Sequence, residues 1–464
     1  MIKKYSLKRV LCLFILTIIL LQNGSLNVEA SEYWPEGPET VSPNVIVMEV
    51  QTGTILYEKN SLEAHYPASI TKIMTTLVAL ENSDLKDTVT FSDAAIDETE
   101  GSGIARDYGE QMTMEQCLYA VMLASANECA YAVAEHVGGT MDHFVEMMNE
   151  KAKELGCQNT HFSNPHGLQD ENHYTCCYDM ALIAKAAYQN ETFRIITGTA
   201  RYTIPPTNKH AEQTDLQNHN EMLYPFQTNR YIYENCTGGK TGYTIAANST
   251  LVTFAEKDGM KLVCVVMNTQ SPNQWTDSRN LFDYCFDNFQ VINISENETN
   301  YNASEKKSTG TLNKSEAFVD IDKDAGIVLP KTAEFKDAAS EITYDDADKD
   351  IVGTIHYTYA GHDVGNAHIS TTGADVPKYP FDNQKEAQQV SEKEEQQAPV
   401  STVRINPRII GLIVAALIVL ATIAFFIYKF VDNYYIIKHN LEVRRDKKAQ
   451  FKKVRNSRKR RRRH

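Results

Sequence analysis

The sequence lacks the simplest markers of several protein classes. No internal repeat is evident in its 464 residues, no His-Glu-x-x-His motif is present, and its nine cysteines show no spacing typical of a disulfide framework. An excess of basic residues is also missing, since the formal net charge is −14. These absences argue against a metalloprotease-type zinc helix and against nucleic acid as the partner of the main part of the chain.

The N-terminus has the order typical of an export signal. Basic residues among the first nine positions precede the apolar run VLCLFILTIILL, and the small-residue pattern VEA ends at Ala30. Residues 1–30 are therefore predicted to be a signal peptide that is cleaved from the mature protein. Export permits disulfides among the eight cysteines that follow Cys12, but the sequence assigns no pairing.

A second long apolar run lies near the C-terminus. Residues 409–428 read IIGLIVAALIVLATIAFFIY, twenty positions without a charge, and this length suffices to cross a bilayer core of about 30 Å. We predict a single transmembrane helix over residues 408–428. The tail of residues 429–464 holds 15 Lys and Arg against three acidic residues, which predicts a cytoplasmic tail and an extracellular remainder at the cell membrane.

The net charge of the predicted extracellular part differs strongly from that of the predicted cytoplasmic tail. Because the whole chain is negative despite this basic tail, the part predicted outside the cell is strongly acidic, and no nucleic-acid partner is expected for it. The tail itself has the composition of an RNA-binding segment or of a topology anchor attracted to anionic lipid. We favour the anchor.

Between these ends the patterns predict an α+β organisation. Residues 31–290 mix hairpins, such as NVIVMEVQTGTILYEKN and STLVTFAEKDGMKLVCVVMN, with a helical middle that includes MEQCLYAVMLA and ECAYAVAEHV. Residues 291–378 begin with a polar connector and continue as short strands, which predicts a small β domain. Residues 379–407 are rich in Gln, Glu and Lys and are predicted to be a flexible stalk.

One apolar helical stretch, YPASITKIMTTLVAL at residues 66–80, carries a lysine in its first turn. Ser69 and Lys72 are three residues apart, so on a helix the hydroxyl and the ammonium share one face and can approach each other. Pro67 suits a helix start, where the amide dipoles favour an anion on the serine oxygen. Burial lowers the pKa of a lysine, so the stretch could pair a nucleophile with a base, although an exposed first-turn lysine is the commoner case.

Two further segments match such chemistry. Ser125 and Asn127 lie in a predicted turn between two helices, where both side chains can be presented together. In CTGGKTGYT, Lys240 and Gly242 fall on one face of a strand, and the glycine leaves space for a ligand. Taken singly, each segment is better interpreted as a plain turn or a plain edge strand.

In this order, Ser-x-x-Lys, Ser-x-Asn and Lys-Thr-Gly form a set known from penicillin-recognising serine enzymes. The chain resembles the low-molecular-weight penicillin-binding proteins, the D-alanyl-D-alanine carboxypeptidases, over residues 35–285. PASITKIMT, ASANECAYAVAEHVGG, FSNPHGLQDENHYT and GGKTGYT carry the resemblance. It implies a β-lactamase/transpeptidase-like domain, an antiparallel sheet with a helical cluster, followed by the small β domain and the transmembrane helix.

The resemblance also implies an acyl-transfer cycle without a cofactor or a metal. Ser69 would attack the carbonyl of a terminal D-Ala-D-Ala bond of the peptidoglycan stem peptide, and Lys72 would take its proton. Ser125 would pass the proton to the departing D-alanine, and the backbone amides of Ser69 and Tyr243 would form the oxyanion hole. β-Lactam antibiotics would acylate the same serine.

Substrate binding is implied for the remaining motif residues. Asn127 would hold the stem-peptide amide, and Lys240 and Thr241 would bind the terminal carboxylate beside Gly242. Strict strand alternation places Thr241 on the face opposite Lys240, so a twisted edge is needed to bring both to one ligand.

Four other interpretations stay open at this point. A β-lactamase shares the three motifs, but no Glu-x-x-Leu-Asn run lies between Asn127 and Lys240. A β-lactam-acylated membrane sensor would also retain them, although the tail is too short and basic for a signalling domain. A passive wall-binding protein would give the Ser-x-x-Lys pair no function.

A zinc peptidase would need a set of metal ligands, and the spacing of the candidates in this sequence matches no zinc pattern. The candidate ligands are His161, His166, His173, Cys176 and Cys177. Asp179 is expected to be a helix N-cap.

Overall fold

The computed structural model describes residues 33–298, 319–344 and 351–371, together with residues 434, 439, 441 and 443–449. The last set is helical and belongs to a separate unit, residues 377–464. The predicted signal peptide, the stalk and the predicted transmembrane helix lie outside the described residues. No helix in the described part of the chain is long and apolar enough to cross a membrane.

A five-stranded antiparallel sheet organises residues 33–288, with strand order β2-β1-β9-β8-β7. Its strands are β1 (Asn44–Glu49), β2 (Ile55–Lys59), β7 (Cys236–Thr244), β8 (Asn248–Lys257) and β9 (Met260–Thr269). The two predicted hairpins are confirmed as the pairs β1–β2 and β8–β9. β7 lies at one edge of the sheet, so one side of this strand is left open to a ligand.

Helices cover both faces of this sheet. One core contains Ile46, Met48 and a large helical cluster, whereas Val45 and Val47 point to a second core with the helix that follows β9. This alternation is the period of two expected for a strand buried on both faces. The helices are α1 (Lys72–Asn82), α2 (Asp93–Asp97), α3 (Met114–Leu123), α4 (Asn127–Gly138), α5 (Met141–Glu154), α6 (Cys177–Gln189), α7 (Glu191–Gly198) and α8 (Asn273–Asn288).

Two short two-stranded sheets accompany the helical cluster. β3 (Thr88–Thr90) pairs with β4 (Gln111–Thr113), and β5 (Arg201–Ile204) pairs with β6 (Thr214–Gln217). A sheet with helical layers and hairpins confirms the α+β prediction.

The small β domain begins earlier than the sequence predicted. β10 (Phe289–Asn293) pairs with β12 (Gly326–Pro330), so the predicted boundary at residue 290 falls within a strand. The predicted polar connector likewise includes β10 and the short α9 (Ile294–Asn297). β10 has only five residues, and its pairing with the distant β12 defines it as a strand. The other strands form one sheet, in the order β11-β15-β14-β13, and are β11 (Val319–Ile321), β13 (Ala339–Thr343), β14 (Ile351–Tyr359) and β15 (His362–Thr371).

Candidate active site

Ser69 lies in a tight turn that leads into α1. Residues Ala68–Thr71 form a 3-10 turn after Pro67, and the α-helix begins at Lys72, so the prediction of one continuous helix is wrong at its first turn. Ala68 has φ of 51°, a left-handed conformation that L residues seldom adopt. The turn nevertheless brings Lys72 Nζ to 3.2 Å from Ser69 Oγ.

Lys72 is completely buried, with 0% of its surface exposed. Besides Ser69 Oγ, its Nζ donates to Asn127 Oδ1 at 2.7 Å and to the His166 carbonyl at 2.6 Å. Burial is the main cause that holds the pKa of Lys72 well below its usual value, and the charge of Lys240 lowers it further, against a smaller opposing effect of Glu128. The lowered pKa makes the loss of a proton from this amine easier, and a neutral amine can accept a proton.

The Ser125 turn has the predicted place between two helices. α3 ends at Leu123 and α4 begins at Asn127, and Ser125 adopts φ of 60° between them. The Asn127 side-chain amide donates to the Glu100 carbonyl, which orients its Oδ1 toward Lys72. Both Ser125 and Asn127 are 4% exposed. The turn thus contributes one hydroxyl and one fixed amide to the site.

β7 supplies a second buried lysine. Lys240 is 1% exposed, and its Nζ donates to the Thr241 carbonyl at 2.8 Å. Burial lowers the pKa of Lys240 to about 7, so near neutrality this amine is charged in part of the molecules.

Gly242 lets β7 approach the nucleophile turn. A Cβ at this position would lie 2.3 Å from Thr250 Oγ1 and 2.9 Å from the Ser69 backbone nitrogen, so no larger residue fits without a shift. Thr250 Oγ1 in turn donates to the Pro67 carbonyl at 2.8 Å, which ties β8 to the same turn. The strand edge is therefore held directly beside Ser69.

A cavity of about 590 Å³ opens over these elements. Its lining includes Ser69, Ser125, Thr241, Gly242 and Tyr243. Thr241 pairs with Leu251 on the neighbouring strand, and Leu251 packs in the core on the α8 side of the sheet. Thr241 therefore lies on the face opposite Lys240, as strand alternation predicts. It still lines the cavity, because β7 is an edge strand. A hydroxyl beside an amine with a lowered pKa, under a cavity with a second lysine nearby, suits nucleophilic attack on a substrate that carries a carboxylate.

Several residues of this region were not found by sequence reasoning. His219, Glu221, Phe226 and Trp275 line the cavity, and the carbonyl of His166 binds Lys72. Burial, aided by Lys240, lowers the pKa of His219 to about 4, so this imidazole is neutral at physiological pH. Backbone carbonyls and loop residues carry no periodic signal, so only tertiary contacts reveal them.

The His and Cys cluster is not arranged as a metal site. Across residues 33–298, 319–344 and 351–371 no three His, Cys, Asp or Glu side chains are placed to hold an ion. His161 Nδ1 donates to the Asn172 carbonyl at 2.6 Å, a local loop contact.

Asp179 is not the N-cap of its helix, contrary to expectation. The N-cap is Cys176, whose Sγ accepts from the Asp179 amide at 3.4 Å. Asp179 Oδ2 instead accepts from the Gln158 and Asn159 amides and from Thr160 Oγ1. The carboxylate accepts hydrogen bonds from the loop of residues 158–160. A capping pattern compares only neighbouring residues and therefore does not predict this contact.

Comparisons with known proteins place this site in a family context. The family model described as D-alanyl-D-alanine carboxypeptidase matches residues 31–271. D-alanyl-D-alanine carboxypeptidase DacF of Bacillus subtilis is 36% identical over 256 residues, which cover 53% of this chain and 63% of the relative. DacB2 of Mycobacterium tuberculosis is 33% identical over 258 residues, covering 54% and 84% of the two chains.

Solved structures agree with these sequence matches. Penicillin binding protein 5 from Haemophilus influenzae superposes with a TM-score of 0.58 at 26% identity, covering 73% of this chain and 98% of the other. The Streptomyces K15 DD-transpeptidase gives a TM-score of 0.51 at 29% identity, covering 55% and 100%. The similarity therefore extends to the three-dimensional fold that holds the cavity.

Proposed function

The chain belongs to the D-alanyl-D-alanine carboxypeptidase family and is a serine hydrolase of that class, and we propose that it cleaves stem peptides through an acyl-enzyme on Ser69. The observation that carries this proposal is the 3.2 Å contact between Ser69 Oγ and the buried Nζ of Lys72. A serine is a weak nucleophile until a neighbouring base takes its proton, and a lysine kept neutral by burial can do so.

The cycle has two halves. Ser69 Oγ attacks the carbonyl of the terminal D-Ala-D-Ala bond while Lys72 accepts its proton, and Ser125 relays that proton from Lys72 to the nitrogen of the departing D-alanine as the C–N bond breaks. Water then attacks the ester carbonyl and gives one proton to the leaving Ser69 Oγ, which releases the shortened stem peptide and restores Ser69, Lys72 and Ser125 to their starting forms. The backbone amides of Ser69 and Tyr243 stabilise the oxyanion; one such donor is typically worth about 3 to 4 kcal/mol.

Substrate binding is assigned to the strand side and to Asn127. Lys240 and Thr241 bind the terminal carboxylate, and the position of Thr241 in the cavity wall supports this role. Gly242 keeps the substrate backbone close to Ser69, and Asn127 holds the stem-peptide amide as well as orienting Lys72. A β-lactam presents a carboxylate and a strained amide in the same relation, so it acylates Ser69 and inhibits the enzyme.

The same proposal includes a location at the cell surface. Residues 1–30 direct export, residues 408–428 anchor the chain in the membrane by a single pass, and the basic residues 429–464 stay in the cytoplasm. Along the chain, the small β domain and the predicted stalk of residues 379–407 come between the catalytic domain and the proposed membrane segment. Protease added to intact cells is then expected to cut the catalytic domain and to spare the tail.

The deciding experiment compares two reactions of the full-length chain. We expect release of D-alanine from a peptide that ends in D-Ala-D-Ala, together with covalent labelling by fluorescent penicillin. Ser69→Ala abolishes both, whereas Ser83→Ala, at the far end of α1, leaves both unchanged. Fast penicillin turnover without D-alanine release would identify a β-lactamase, and stable labelling without either turnover would identify a sensor.

A further inference from the structure

His173 is buried behind the nucleophile turn and is absent from the lining of the catalytic cavity. We propose that His173 is a positioning residue that sets the attack geometry of Ser69 by acting through Thr71 and Ala68. This inference rests on the proposed function, since it assigns a second layer of support to the same serine.

The hydrogen bonds around His173 allow one arrangement of protons. The Ser163 backbone N–H can only donate, and it reaches His173 Nδ1 at 3.0 Å, so Nδ1 is the acceptor. The proton of the neutral ring is then on Nε2, which lies 2.8 Å from Thr71 Oγ1 and donates to it. Burial lowers the pKa of His173 to about 3, which keeps the ring neutral across the working range of an enzyme.

Thr71 passes this constraint to the residue before the nucleophile. Because its Oγ1 accepts from His173, the hydroxyl proton is free to donate, and it does so to the Ala68 carbonyl at 2.9 Å. Ala68 is the residue with φ of 51°. A conformation of this kind persists only where the surroundings hold it. The chain from His173 to Ala68 is such a restraint, and it acts one residue from Ser69.

The same histidine holds the segment that contacts the base. Residues 163–168 pack on the turn: the His166 carbonyl accepts from Lys72, and the Pro165 carbonyl accepts from Thr75 Oγ1 at 2.5 Å. A Cβ on Gly167 would lie 1.9 Å from the Ala68 carbonyl oxygen, which shows how closely the segment approaches. His173 fixes the start of this segment through Ser163. Serine and lysine are thus placed relative to each other by one element.

Thr71 is the sharpest position for a test. Removing His173 would leave the Ser163 N–H without its acceptor in the core, a general cost to folding. Thr71→Val keeps the volume and removes only the hydroxyl that links His173 to Ala68, and Thr71→Ser restores that hydroxyl. Thr76→Val is the matched control, because Thr76 is buried in the helix that follows Thr71 and its Oγ1 has no hydrogen-bond partner within the described residues.

The measurement is penicillin acylation of the full-length chain, with the saturating rate constant separated from the half-saturating concentration, beside the melting temperature. We expect Thr71→Val to lower the rate constant at least tenfold with a half-saturating concentration within about twofold of wild type, Thr71→Ser to recover most of the rate, and Thr76→Val to match wild type. Equal rates in Thr71→Val and wild type, or equal losses in Thr71→Val and Thr71→Ser, would overturn the role of His173. Failure of wild type itself to acylate would overturn the proposed function instead.

Discussion

The two sides of the active site each bury a lysine, and the two lysines differ in their hydrogen-bond partners and in the causes of their lowered pKa values. On the helix side, Lys72 Nζ lies within hydrogen-bond distance of three oxygen atoms, and its pKa is lowered by burial and by the charge of Lys240. On the strand side, Lys240 donates to one carbonyl, and burial alone lowers its pKa to about 7. No carboxylate in the described part of the chain lies within ion-pair distance of either lysine.

In the proposed mechanism this difference separates a base from a binding cation. Two neighbouring ammonium groups repel each other, so a charged Lys240 favours loss of the proton from Lys72. A substrate carboxylate that reaches Lys240 would stabilise that charge further. In the proposed mechanism, burial of the same type of side chain serves proton transfer on one side and carboxylate binding on the other.

The largest contrast is expected from paired arginine substitutions. Lys72→Arg lowers the rate constant for acylation by about 10² to 10⁴, because a guanidinium stays protonated and cannot act as a base. Lys240→Arg keeps a cation for the carboxylate, so its main effect is a higher KM. Steady-state and single-turnover kinetics on folded protein, checked by melting temperature, separate the two. A near-normal rate constant in Lys72→Arg would remove this lysine from proton transfer.

An intermediate effect is expected where the two sides meet. Gly242→Ala would push its Cβ against Thr250 Oγ1 and the Ser69 amide, and we expect acylation to fall about 10- to 100-fold as the strand moves away. Gly259→Ala is the control: its φ of 82° costs about 1 kcal/mol of stability, but nothing lies within 4 Å of the added methyl group. Acylation rates and melting temperatures distinguish them, and unchanged acylation in Gly242→Ala would argue against this close contact being functional.

The smallest effect is a pair of opposite pH shifts. The charge of Lys240 lowers the pKa of Lys72, so Lys240→Met raises that pKa and moves the acidic limb of the acylation profile to higher pH. Glu128 raises the pKa of Lys72, so Glu128→Gln moves the same limb to lower pH. Each shift is expected to be up to about one pH unit, measured at saturating penicillin. Shifts in the same direction would contradict this electrostatic assignment.

The local patterns predicted the sheet hairpins and most helices because both depend on periodicity that neighbours in the chain share. Alternation in β1 separates Ile46 and Met48 from Val45 and Val47, and the structure sends these pairs to different cores. Prediction failed where a distant partner decides. β10 is a strand because it pairs with β12. Asp179 accepts hydrogen bonds from the amides of residues 158 and 159 and does not cap its own helix.

The sequence by itself determined which side chains could perform the chemistry: a hydroxyl and an amine three residues apart, a second hydroxyl in a turn, and a lysine on a glycine-containing strand. Only the tertiary structure decided that the pKa of Lys72 is lowered, because the depth of burial and the distance to Lys240 depend on segments far apart in the chain. The tertiary structure also decided the restraint on Ala68, because residues 163–168 pack against the nucleophile turn and His173 is linked to Ala68 through Thr71. Desolvation and charge act through space. The linear order of residues can therefore identify which groups titrate, but it does not fix how far their pKa values shift.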